Sequence, residues 1–168
     1  MSDLELLAML YERSIKINDP NKKGKLFELF VKELFKMLPC KIDLFKIKRE
    51  GGGDIDLVLL FIDDPSKCGL SFIEYKKAII EAKNWKRPVD ESTISSFKDK
   101  LKRSDVKVGI VITSSDFTEK CWLPILTALN DGYLILPVNG ELINKVLEGR
   151  SEITEILNES YKKLLSKA

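Results

Sequence analysis

The sequence predicts an α/β protein, an α/β/α sandwich around a central mixed β-sheet. Three observations carry this. Apolar residues recur at helical spacing near both ends of the chain, while the middle holds short strand-like segments bounded by Gly, Pro and Asp. Two segments, 54–62 (DIDLVLLFI) and 106–113 (VKVGIVIT), are almost continuously apolar, as strands buried on both faces are. After Pro88, helix and strand signals alternate, the pattern of strands covered by helices.

The elements follow in order. Ser2 and Glu5 have the spacing of a capping box, so a first helix is expected over residues 2–17. Asn18, Asp19, Pro20 and Asn21 break it, and Phe27, Phe30, Val31, Leu34, Phe35 and Leu38 form the stripe of a second helix over 23–38 that Pro39 ends. Alternation over 41–48 predicts a strand, a glycine turn follows at 50–53, and 54–62 is the buried strand. A loop at 63–66 leads to one long strand or two short ones within 71–83. Asp90 caps a helix to about Arg103, and 106–113 is a strand. Asp116 and Glu119 open a helix to about Asn130, 133–138 is a short strand, and helices over 140–147 and 151–167 follow. With no repeat and no linker-like tract, the 168 residues read as one domain with a core over about 24–140.

Composition narrows the chemistry. With 44% apolar residues the chain can bury a substantial core, and no apolar run is long enough to span a bilayer. Cys40, Cys68 and Cys121 are odd in number, far apart and without CxxC spacing, which argues against a disulfide framework or a zinc site and for a reducing, cytoplasmic setting. Net charge is only +2 although 32% of residues are charged, so any polyanion must meet a local basic surface. The chain has no histidine. That excludes Ser-His-Asp and Cys-His mechanisms and leaves carboxylates, lysines, hydroxyls or thiols, with any metal held by oxygen.

Within Ala78-Ile79-Ile80-Glu81-Ala82-Lys83, strand alternation sends Glu81 and Lys83 to one face and Ala82 to the other. An acid and a lysine together at the end of an apolar lead-in suit a site better than a core. Glu81 can ligate a hard cation, the Ala82 carbonyl can add an oxygen, and Lys83 can orient or deprotonate a water or offset phosphate charge. A second carboxylate must come from a neighbouring strand. If 54–62 and the Glu81 strand are antiparallel, Asp56 near the start of one falls opposite the end of the other, where Glu81 sits. Asp54 shares its parity and competes for the role, but Asp56 lies deeper in the apolar run, where an acid is costlier. Glu74-Tyr75-Lys76 has the same acid-x-lysine form but a shorter lead-in and Lys77 behind it, the mark of a solvated edge. Glu28, three residues before Val31, borders the buried stripe of its helix, either reaching the metal through water or pairing with a lysine.

Four blocks in order resemble the Mrr-like restriction endonucleases of the PD-(D/E)xK superfamily. They are Gly24-Lys25-Leu26-Phe27-Glu28, Gly51-Gly52-Gly53-Asp54-Ile55-Asp56-Leu57-Val58, Ile80-Glu81-Ala82-Lys83-Asn84-Trp85, and Val111-Ile112-Thr113-Ser114-Ser115-Asp116-Phe117-Thr118. The resemblance implies a restriction-endonuclease-like fold and a Mg²⁺-dependent DNA endonuclease, with Mn²⁺ as a substitute, that hydrolyses phosphodiester bonds with metal-activated water. It makes Asp56 and Glu81 metal ligands, Lys83 the catalytic lysine and Glu28 an accessory acid. Many Mrr-like members carry glutamine where Glu81 stands, and a separate recognition domain is not expected within these 168 residues. A structure-selective nuclease of the Holliday-junction type, or a non-catalytic nucleic-acid-binding module on the same fold, is therefore kept beside the first reading. Lys48 and Arg49 before the glycine turn, Lys86 and Arg87 after Lys83, and Lys98 on the following helix are the expected phosphate contacts. Since one such site cuts one strand, a homodimer is a possible working form.

Overall fold

The structure is a computed structural model that describes residues 1–48 and 55–168; the side chains of Lys48, Ile55 and Asp56 lie outside the description. The element order is α1 (Asp3–Lys16), α2 (Pro20–Phe35), β1 (Ile42–Lys48), β2 (Ile55–Phe61), β3 (Lys77–Lys83), α3 (Glu91–Ser104), β4 (Val108–Thr113), α4 (Trp122–Asn130), β5 (Leu134–Val138), α5 (Gly140–Leu147) and α6 (Ile153–Lys167), with short 3₁₀ turns at Pro65–Cys68 and Glu119–Cys121. The strands form one sheet in the order β1-β2-β3-β4-β5. β1, β2 and β3 pair antiparallel, while β3, β4 and β5 pair parallel, so the sheet is mixed as expected.

Alternation along the strands divides the core between the two faces. Ala78, Ile80, Val108, Ile110 and Ile112 pack with α1, α2, α5 and α6 around Phe27, Phe30, Phe35 and Leu157. Ile79, Val111 and Ile135 pack with α3 and α4 around Phe97, Leu101 and Ile125. β4 is buried at every position, which accounts for its unbroken apolar run.

Local chemistry sets most boundaries. Ser2 accepts from the Glu5 amide and Glu5 returns a contact to the Ser2 amide, completing the capping box. α2 starts three residues earlier than its apolar stripe predicts, because Asp19 caps it and Pro20 takes the first turn. Asp19-Pro20 therefore ends the loop after α1 and begins the next helix. Residues 71–76 are not strand. Leu70 and Ile73 are buried as a plug between the 3₁₀ turn and β3, and Glu74, Tyr75 and Lys76 are exposed in a bend. α4 begins only at Trp122, and Asp116 does not cap it; its carboxylate accepts from the Phe117 amide and from Asn139.

The cysteine reading needs correction. Cys40 and Cys68 are joined in a disulfide with their Cα atoms 5.1 Å apart, and Cys121 is buried and free. Their 28-residue separation hid a contact made by the β1–β2 hairpin folding back beside the 3₁₀ turn. Cysteine usage thus gives no argument for a reducing compartment. Among the described residues no helix is long and apolar enough to cross a membrane.

α3 seats against β4 at a glycine. A Cβ on Gly109 would lie 2.3 Å from Phe97 Cε2 and 2.9 Å from Leu101 Cδ1, and both partners are fully buried. Gly109→Ala should therefore destabilise the fold by about 1–3 kcal/mol through overpacking. The check is a lower urea midpoint at unchanged slope, partly recovered by a second change, Phe97→Leu.

Candidate active site

β3 is apolar and buried over Ala78–Ile80 and turns polar at Glu81, Ala82 and Lys83, which are partly exposed. These residues open onto a cleft of about 320 Å³ that is also lined by Pro20, Asn21, Gly24, Lys25 and Glu28 of α2 and by Leu57 of β2. Gly24 has open space where a Cβ would stand, so no side chain there narrows the cleft. The cleft thus gathers Glu28, Glu81, Ala82 and Lys83 from two elements distant in sequence.

Lys83 Nζ lies 3.6 Å from Glu81 Oε1, and Lys100 Nζ of α3 lies 3.1 Å from the same oxygen. The Glu81 side chain is only 11% exposed and that of Lys83 22%, so both contacts are shielded from bulk water and strengthened by it. Lys83 Nζ is also 5.1 Å from the Trp85 ring centroid, and Arg87 lies over the same ring at 4.2 Å. Trp85 is therefore within cation–π reach of two cations.

Glu28 has Lys46 of β1 2.7 Å from its Oε1. The approach lies off hydrogen-bonding angles, and that buried oxygen makes no hydrogen bond among the described residues. It has a charge partner but a lone pair to offer. Of the two readings the sequence left open for Glu28, the structure shows the pairing with a lysine, Lys46, and Glu28 also lines the cleft.

β2 and β3 are antiparallel, with Leu57 opposite Ile80 and Val58 opposite Ile79. Asp56 is in β2, paired with Ile47 of β1. Its side chain lies outside the description, as do Asp54, the glycine turn and Arg49; Lys48 ends β1 but its side chain is likewise not described. Lys86 and Arg87 are exposed just beyond β3. Lys98 is not brought to the cleft. It pairs with Asp131 and lines a separate hollow between α3 and α4 with Leu123 and Pro124.

A metal ion is what this donor set has to be tested against. Among the described residues no three acidic or thiol groups lie close enough to hold one. Besides the ammonium groups of Lys25 and Lys83, the cleft offers oxygen donors that could ligate a cation: the Glu81 carboxylate, the Ala82 carbonyl and Glu28 Oε1, which has no hydrogen-bond partner among the described residues. They fit a hard cation such as Mg²⁺ and suit a soft one poorly.

Two residues were undervalued by the sequence. Asn84 fastens the end of β3: its Nδ2 donates to the Ser14 carbonyl of α1 at 2.9 Å, and its Oδ1 accepts from Ser114 Oγ after β4 at 2.6 Å. Its place directly after Lys83 was the available signal. Lys100 reads as one more surface lysine, yet it follows Phe97 by three positions and precedes Leu101, at the margin of the buried stripe of α3.

The catalytic-domain model of the Mrr restriction endonucleases, described as restriction endonuclease, matches residues 21–127, more than half of the 168. No curated protein and no solved structure gives a significant match.

The Asn84 bridge is testable. Asn84→Ala should cost about 1–3 kcal/mol by leaving partly buried groups unpaired. In a double-mutant cycle with Ser114→Ala, a coupling of at least about 0.5 kcal/mol is expected in urea unfolding; strict additivity would show that the bridge does not join the two strand ends.

Proposed function

Since the chain belongs to the Mrr restriction endonuclease family, and is on that ground a nuclease with a restriction-endonuclease-like fold, we propose that it is a Mg²⁺-dependent DNA endonuclease acting at the Glu28–Glu81–Lys83 cleft. The observation that carries this reading is the meeting, in one cleft, of Glu28 from α2 with Glu81, the Ala82 carbonyl and Lys83 from the end of β3. The strand register supports Asp56 as the further acid: one step beyond the Leu57–Ile80 pair lie Asp56 on β2 and Glu81 on β3.

Asp56, Glu81 and the Ala82 carbonyl would hold the cation, with Mn²⁺ able to replace Mg²⁺ and Glu28 acting through water. When bound, the cation supplies Lewis-acid polarisation of the phosphoryl group and a lowered water pKa. Lys83 does the rest of the positioning. Its ammonium is held near Glu81 and the Trp85 ring, and its N–H donors would orient the attacking water and neutralise charge on the phosphate as it builds. Hydrolysis forms one P–O bond to the water oxygen and breaks one P–O bond to a sugar oxygen, which leaves with a proton.

Lys86 and Arg87, exposed beside the cleft, would hold the DNA backbone, and Lys48 and Arg49 belong to the same proposal. Lys98, already engaged with Asp131, has the weakest claim. A cytoplasmic location rests only on where such a substrate is met. A homodimer would supply the second cut of a duplex.

The direct test is cleavage of plasmid, linear and branched DNA with Mg²⁺, Mn²⁺ or EDTA. Asp56→Ala, Glu81→Ala and Lys83→Ala should each lower the rate by at least about 10²-fold, the scale of losing an electrostatic or acid-base group; Glu28→Gln should cost less. Cleavage that persists in EDTA, or survives all three alanine substitutions, would remove the assignment. DNA binding without cutting under any metal would favour the non-catalytic module.

A further inference from the structure

Lys100 is the only charged side chain that is buried among the described residues, at 6% exposure. Its position is imposed by α3. Asp90 caps that helix, accepting from the Thr93 amide, and Phe97 and Leu101 press against Gly109 of β4. The helix therefore delivers the Lys100 ammonium to Glu81 Oε1 from inside the core, at 3.1 Å, on the oxygen that Lys83 also contacts. An apolar residue would complete the α3 stripe at lower desolvation cost, so packing gives no reason for a lysine here.

A cleft whose acids are gathered to hold a divalent cation has a difficulty before the cation arrives, because those acids must stay together without it. We propose that Lys100 is the counter-cation of Glu81 in the metal-free chain, a positioning residue whose charge also opposes the entering metal and so lowers its affinity. This rests on the reading of Glu81 as a cation ligand. On this reading the Lys100 ammonium faces Glu81 and is not offered to DNA phosphates.

The test uses the whole chain without DNA. Mn²⁺ binding is measured by calorimetry, and thermal unfolding is followed in EDTA and across a Mn²⁺ titration, for wild type, Lys100→Met, Lys100→Gln and Lys100→Arg. The neutral variants should bind Mn²⁺ roughly 10–100-fold more tightly, the scale on which groups behind metal ligands act, and Lys100→Arg should stay close to wild type. In EDTA the neutral variants should unfold at lower temperature, and the gap should close as Mn²⁺ saturates them, because a ligand stabilises in proportion to its affinity. Unchanged or weaker binding, or an equal loss of stability at every Mn²⁺ concentration, would make Lys100 a structural prop and overturn the proposal. Should Lys100→Met fail to fold in EDTA, folding on addition of Mn²⁺ supports it and continued failure beside an unaltered Lys100→Gln overturns it. A wild-type chain that binds Mn²⁺ but cuts no DNA ends the nuclease reading and leaves the Lys100 comparison intact. A wild-type chain that takes up no Mn²⁺ ends both.

Discussion

The structure turns on β3, a central strand that has to be two things along seven residues. Its first half is core, with Ala78, Ile79 and Ile80 covered on both faces, and its second half is the wall of a polar cleft. The change is possible because β3 stands where the sheet changes sense, antiparallel to β2 and parallel to β4. The antiparallel side brings the start of β2 to the end of β3, and the parallel side brings the end of β4 there as well. Three strand ends therefore converge on Glu81 and Lys83. Charged groups at the margin of a core are stable only if they satisfy one another, and the Glu81–Lys83–Lys100 cluster is that condition met.

The two helical layers have unequal duties around this point. The larger layer contributes Glu28 and the bare surface at Gly24, so it shapes the opening of the cleft. The smaller layer contributes α3, whose close seat on Gly109 sets how far Lys100 reaches. Stability and chemistry share these contacts. The apolar stripe that holds α3 down is also the ruler that places an ammonium beside a carboxylate.

Much of this was legible in the sequence because it is local. Capping chemistry at Ser2 and Asp90 marks helix starts, and the runs in β2 and β4 announce strands covered on both sides. Glu81 and Lys83 stood out from Glu74 and Lys76 by their longer apolar lead-in, and the exposure of the second pair agrees with that contrast. What escaped is non-local or double in meaning. Asp19-Pro20 reads as a break until its capping role is considered, and Phe72-Ile73 reads as strand because apolar content alone does not separate a strand from a plug. The Cys40–Cys68 bond and the inward turn of Lys100 depend on which elements become neighbours, which no spacing rule encodes. Asp54 and Asp56 remain separated by the argument from burial and by register alone.

The hydrogen bond from Asn84 to the Ser14 carbonyl has a consequence for where this domain can be cut. The family match starts at residue 21, beyond α1. Yet α1 places Leu7, Leu10 and Tyr11 in the main core and supplies the acceptor that secures the residue next to Lys83. At the other end, β5 fills the edge beside β4 although the match stops at residue 127. Trimming the chain to the matched segment would strip a sheet edge and unfasten the lysine's strand at once. The segment shared with the family is thus smaller than the smallest piece able to hold its own site in shape.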